Sequence, residues 1–160
     1  MVLVAVVITG LMEGVAATIT SRVTQAEREK ELLFRGLAYQ NAIKSYYQAG
    51  KQLNTFTFPR SLNDLLKDPR FPSRRHIRAL YVDPMGKGDH EWSVIRAIDG
   101  GITGVASASK QKSLKTANFP AGLESLAGKK SYAEWVFMYN APAAIQVPLP
   151  ARPMPVQRNR

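Results

Sequence analysis

The chain has 160 residues and no cysteine, and its 22 lysines and arginines against 12 aspartates and glutamates give a net charge of +10 and a pI near 10.1. That length holds one compact domain and excludes two full ones. The missing thiols exclude disulfides, thiolate metal sites and a cysteine nucleophile, while the charge excess points to acidic partners such as phospholipid headgroups, nucleic acid or an acidic protein face.

Residues 1–21, MVLVAVVITGLMEGVAATITS, carry one charge, Glu13. A run of about 20 apolar residues is the length that crosses a bilayer. Three readings fit: a cleaved signal, a membrane anchor, or the buried first half of a longer helix. A cleaved signal wants a basic lead and a small-residue cleavage site. Ala16 and Ala17 offer the second, but no Lys or Arg precedes them. In a membrane or bundle helix, Val4, Val7, Leu11, Val15 and Ile19 are expected to meet lipid or neighbouring helices. A carboxylate there is costly unless it is paired or reaches the interface. Glu13 is placed at the polar interface, with pairing to a basic group in a bundle as the alternative.

From Ser21 to Gly50 no proline interrupts SRVTQAEREKELLFRGLAYQNAIKSYYQAG. Glu27 with Lys30, and Glu31 with Arg35, have the spacing of stabilising helix pairs. Leu33, Leu37 and Ile43 to Tyr47 form an intermittent apolar stripe at helical period, and Gly50 is a natural stop. The pattern predicts one helix of about fifty residues, about 75 Å long, with residues 1–21 as its apolar half and 22–50 as its amphipathic half.

Residues 51–140 are expected to form the globular head. Pro59, Pro69 and Pro72 break the helical pattern, and Ser61 is placed to cap a short helix through Leu62, Leu65 and Leu66 with Asp64 in its first turn. Leu80 to Val82 predict a short strand that Asp83-Pro84 ends, with Gly86 completing the turn. Trp92 to Ile98 and Ile102 to Ser107 predict a hairpin joined through Asp99-Gly100, a turn that needs positive φ. In AEWVFMYN, Trp135, Phe137 and Tyr139 alternate with Val136 and Met138, as in a strand with one covered face. Between these strands lies a long lysine-bearing loop with a short helix expected at Leu123 to Ala127, a connection of a length that is usually functional or mobile. Residues 141–160, APAAIQVPLPARPMPVQRNR, are proline-rich and expected to be disordered. The fold class is therefore α+β: a long N-terminal helix, its first half transmembrane, packed on a small antiparallel sheet. Leu33, Leu37, Tyr47, Trp92, Trp135, Phe137 and Tyr139 are the predicted head core.

This order of parts resembles the type IV pilin-like proteins, closest to the pseudopilins of type II secretion and particularly their G-type major subunit. The resemblance rests on the apolar helix, AEREKELLFRGLAYQNAIKSYY, then FPRSLNDLL, where such proteins have a Tyr/Phe-Pro and a Leu-containing helix. LYVDPMG is similar to the family's Asp-Pro-Trp-Gly turn, and AIDGG to its Asp-Gly turn. It implies a structural filament subunit, not an enzyme: a single-pass inner-membrane protein with a periplasmic head, assembled through its N-terminal helix into a secretion pseudopilus or type IV pilus. The implied partners are other pilin or pseudopilin subunits, inner-membrane lipid and an inner-membrane assembly platform, with no cofactor. The family's leader signature is missing, and Gly10-Leu11-Met12-Glu13 has the wrong spacing for it, so Met1 is expected to be internal to a longer precursor. The role of the family's N-terminal glutamate is not carried over to Glu13. The family's calcium loop bears carboxylates, whereas SASKQKSLKTANF has three lysines and none, so no calcium site is expected there.

His76, His90, Asp83 and Glu91 are the cluster to test for catalysis, but they lack the HExxH spacing of a zinc site, and Ser107 and Ser109 lack a nucleophile motif. Arg74, Arg75 and Arg78 with Lys110, Lys112 and Lys115 form a candidate anion-binding face. A DNA-uptake pilin or a secreted basic binding domain is thus the alternative function, with nucleic acid as its partner.

Overall fold

The computed structural model describes residues 2–86, 88 and 91–141, with the backbone alone for 2–20. The side chains of Val4, Val7, Leu11, Glu13, Val15 and Ile19, the whole of His90, and the tail from residue 142 lie outside the described residues. One helix, α1 (Val2–Ala49), runs through the apolar start and the amphipathic segment without a break. The head adds a short helix α2 (Asn63–Leu66) and three strands, β1 (Ser93–Arg96), β2 (Ile102–Ala106) and β3 (Val136–Met138). The strands form an antiparallel sheet in the order β1-β2-β3. The architecture is α+β, as the sequence predicts.

Helix α1 stops where expected. Gly50 opens a 3-10 turn, and Asn54 leaves it in the left-handed region at φ 50°, donating its N–H to the carbonyls of Gly50 and Lys51. Both predicted side-chain pairs form, Lys30–Glu27 at 2.8 Å and Arg35–Glu31 at 2.7 Å. The buried line of α1 runs through Glu29, Leu32, Gly36, Tyr39, Ile43 and Tyr46. Ile43 and Tyr46 of the expected stripe lie on that line, whereas Leu33, Leu37 and Tyr47 flank it and are only partly buried. The line passes through Gly36, which sequence patterning counts as neither apolar nor polar.

The Phe137 ring sits on Gly36. A Cβ added at Gly36 would lie 2.5 Å from three ring carbons, closer than non-bonded atoms tolerate. Trp92 meets Phe137 edge-on at 6.1 Å, and Tyr39 meets Trp92 at 5.5 Å. Trp135 is fully buried between the edges of Phe119 and Tyr132, at 5.3 and 5.1 Å. Its indole N–H has no acceptor among the described residues, so ring packing and burial hold it. Tyr139 is partly buried beside Tyr47, with ring centroids 5.8 Å apart. Trp92, Trp135, Phe137 and Tyr139 thus all join the core.

The Asp99-Gly100 hairpin forms: Gly100 takes φ 82°, its N–H bonds the Ala97 carbonyl, and Ala97 N–H bonds the Gly101 carbonyl. A register shift between Ile95 and Arg96 shortens the first strand. The expected strand at Leu80 to Val82 does not form. Its carbonyls bond side chains and not a neighbouring strand: Tyr81 O accepts from Tyr39 Oη and Trp92 Nε1, and Val82 O from Arg35. The Leu123 to Ala127 helix is reduced to a 3-10 turn, Glu124–Leu126. At α2, Ser61 Oγ accepts from Asn63 N–H while Asp64 accepts from Arg60 and Ser61 N–H groups, a reciprocal cap around the predicted pair.

Helix propensity alone favours alanine over glycine by about 1 kcal/mol. At position 36 the sign should reverse, because overpacking a core costs about 1–3 kcal/mol. Gly36→Ala is therefore expected to lower the stability of the head, measured by urea denaturation. A variant as stable as the parent would mean that the ring can retreat.

Candidate functional site

Two polar clusters fasten the head to α1, one at each end of the buried line. At the N-terminal end Glu29 is 6% exposed. Its carboxylate accepts from Leu114 N–H at 2.8 Å, Lys115 N–H at 3.0 Å and Tyr132 Oη–H at 2.7 Å. Gln25 completes the group by donating to Tyr132 Oη and to Lys112 O. Charge-assisted bonds of this kind are short and strong, and here they replace the water that a carboxylate loses on burial. Burial, then the bond to Glu29, raises the Tyr132 phenol to about 12, so it remains a donor at physiological pH. The long lysine-bearing loop is thereby pinned to the helix, and its Ser113 N–H also bonds the Lys130 carbonyl across the loop.

At the other end Asp68 is fully buried. Its carboxylate takes Arg70 Nε and Nη2 at 3.0 and 2.9 Å, Arg70 N–H at 2.9 Å and His76 Nε2 at 3.1 Å. Arg70 also lies 3.8 Å from the centroid of the Tyr46 ring and donates to the Tyr46 carbonyl, near the end of α1. His76 Nδ1 faces Ser45 Oγ at 2.8 Å. With Nε2–H donating to Asp68, Nδ1 accepts the serine proton. Burial alone would raise the Asp68 pKa, but the bonds from Arg70 and His76 outweigh it and hold the carboxyl below its usual range. Burial also holds His76 below the ordinary imidazole value, a shift that Asp68 only partly offsets.

The Ser45–His76–Asp68 order has the connectivity of a nucleophile relay. Its setting differs, because Ser45 lies inside α1, where backbone N–H groups are spent on helical bonds and none is left to bind an oxyanion. The cluster acts as a fastener between α1 and the segment after α2.

The described members of the cluster to be tested for catalysis are dispersed. His76 lies in this fastener. Asp83 is buried elsewhere, accepting from Met85 N–H, Ser107 Oγ and Ala108 N–H, while its carbonyl takes the Gly86 N–H. The Asp83-Pro84-Gly86 turn thereby ties to the end of β2. Ser109 donates its N–H to Ser107 Oγ, and Glu91 is exposed. Among the described residues no group of three or more potential ligands could hold a metal ion. The six residues of the candidate anion face lie on two segments of the chain. Arg74, Arg75 and Arg78 follow Asp68 beside Ser45, whereas Lys110, Lys112 and Lys115 lie in the loop held by Glu29. Those two anchors are sixteen residues apart on α1, about 24 Å.

Glu29, Asp68 and Arg70 escape sequence reasoning. For Glu29 a signal exists: it precedes Leu32, Gly36 and Tyr39 on the line that the helical period traces. Among the described residues no helix is long and apolar enough to cross a membrane. Comparison with family models, curated proteins and solved structures finds no match for this chain.

Replacing Glu29 by alanine should leave two loop N–H groups without their partner and cost about 2–4 kcal/mol. Hydrogen exchange should accelerate across residues 107–131 and leave β2 protected; uniform acceleration would show that Glu29 supports the whole head.

The shift at His76 also fixes a pH dependence. The unfolded chain accepts a proton that the folded chain resists, so stability tied to neutral His76 is complete above about pH 6.5 and is lost as pH falls below it. Tm should therefore drop between about pH 7 and 5, and the drop should flatten in His76→Gln. An unchanged slope in the variant would assign the effect to another group.

Proposed function

We propose that the chain is a structural filament subunit of the pilin-like class, a pseudopilin or minor type IV pilin, anchored in the inner membrane by residues 1–21 and assembled through α1. The observation that supports this reading is the continuity of α1. One helix of 48 residues passes from an apolar run into the core of a small head, and Gln25, Glu29 and Leu32 already hold it to the head.

The physical logic is mechanical. Leu32, Tyr39, Ile43 and Tyr46 of α1 supply one side of the head's core, so the head cannot release the helix and stay folded. Whatever the first half of the helix enters, a bilayer or a bundle of like helices, carries the head with it. An apolar run of this length, with Glu13 as its one charge, suits both, because bilayer interior and helix bundle alike favour an apolar surface. The order of parts shared with the pilin-like proteins adds the periplasmic location and the assembly platform as partners.

The test is processing and retention. Expressed from its genomic reading frame with a prepilin peptidase, the product should be shortened upstream of Met1 and stay in the membrane fraction. A soluble fragment beginning near Thr18 would instead mark an ordinary signal peptide and end the filament reading.

A further inference from the structure

The helix-facing side of the sheet is only partly covered. Between α1 and β1 lies a crevice of about 510 Å³ with Tyr39, Trp92 and Ile102 among its lining residues. Its rim is apolar and open: Leu80 is 38% exposed, Val82 54% and Val94 39%. Phe34, 61% exposed, extends this surface through its edge contact with Tyr81. A contiguous apolar surface of this kind marks a site that something covers. Strand β1 borders it and among the described residues pairs with β2 alone, so one row of its backbone N–H and C=O groups faces away from the sheet.

The charges at the crevice are ordered along β1. At the C-terminal end Arg96 Nη1 donates to Gly100 O at 2.8 Å, and Arg60 Nη1 lies 3.7 Å from the position of a Cβ on Gly100, so the two guanidinium groups converge on that turn. Neither forms an ion pair among the described residues. The neighbouring carboxylates are engaged with backbone: Asp64 with Arg60 and Ser61 N–H, Asp99 with Gly101 N–H. Glu91 lines the crevice at the other end of the strand.

We propose that this crevice binds an extended segment of an acidic partner protein along the β1 edge, with a large apolar side chain over Trp92 and Tyr39 and a carboxylate at Arg60 and Arg96. Charge complementarity selects this occupant. Two converging arginines, hydrogen-bonded only to carbonyls where Arg96 meets Arg60 and Gly100 and without an ion-pair partner among the described residues, on a chain of net charge +10 attract an acidic segment and repel a second copy. The four residues of β1 offer about 13 Å of edge, which is enough for a short strand to add by backbone hydrogen bonds while the crevice takes alternate side chains. Glu91 at the far end sets the polarity, disfavouring acid there. The inference is independent of the filament reading, since it concerns only the head.

The test uses the full chain in a lipid bilayer disc and the fluorescent peptide Lys-Thr-Val-Phe-Val-Glu-Asp, followed by anisotropy. Saturable binding is expected. Replacing the peptide's Phe by Ser, with all charges kept, should weaken it about tenfold, and Arg60→Gln or Arg96→Gln about three- to fivefold each, with Tm unchanged. Equal binding of the Ser peptide would reduce the effect to bulk charge and overturn the proposal. So would full binding by the double arginine variant, or no saturation up to about 1 mM peptide. Displacement of the peptide by a single-stranded oligonucleotide with the same arginine dependence would assign the site to phosphate and overturn it. Self-association of the unliganded protein that the arginine variants abolish would place a second copy there, with the same consequence.

Discussion

The seat of Phe137 on Gly36 governs the rest of the head. Because position 36 has no side chain, the ring approaches the helix axis to a distance that a methyl group would forbid, and β3 is drawn against α1 at that point. Strand β2 follows through its pairing with β3, where Val105 stands opposite Phe137. The aromatic chain from Phe137 through Trp92 to Tyr39 then returns to the helix three residues after Gly36. Each ring is positioned by the one before it, so the core is specified by shape as well as by hydrophobicity.

A sheet of three short strands cannot bury both of its faces or hold a long loop by ladder bonds. The chain meets this shortage with charge. Glu29 gathers the loop after β2, and Asp68 gathers the segment after α2, each by accepting from several donors that would otherwise be buried without partners. Such carboxylates are strong fasteners only while every bond is made, since a buried charge that loses a partner is left uncompensated. Both fasteners grip the same helix. Head and helix half are therefore a single mechanical unit.

The same economy leaves the β1 side thin. The segment from Leu80 to Val82 lends its carbonyls to Tyr39, Trp92 and Arg35, which positions their side chains but adds no strand to cover the edge. The exposed apolar rim and the converging arginines are thus consequences of how the core is tied and not isolated surface accidents.

Much of the architecture was legible in the sequence because it follows local rules. Absence of proline from Ser21 to Gly50 and helical periodicity announce α1, Asp99-Gly100 announces the hairpin, and alternation around Trp135 and Phe137 announces β3. The same rules mislead where long-range bonds override them: Leu80 to Val82 has strand residues and no strand, because helix side chains claim its carbonyls. They are silent on Gly36, Glu29 and Asp68, whose importance lies in partners far along the chain. By itself the sequence determined a long helix, a hairpin and an aromatic strand, since each depends on neighbours a few residues away. Tertiary structure alone decided which face of the helix is buried, and that a glycine and two carboxylates join the parts, because packing distance and hydrogen-bond partners are properties of the folded chain.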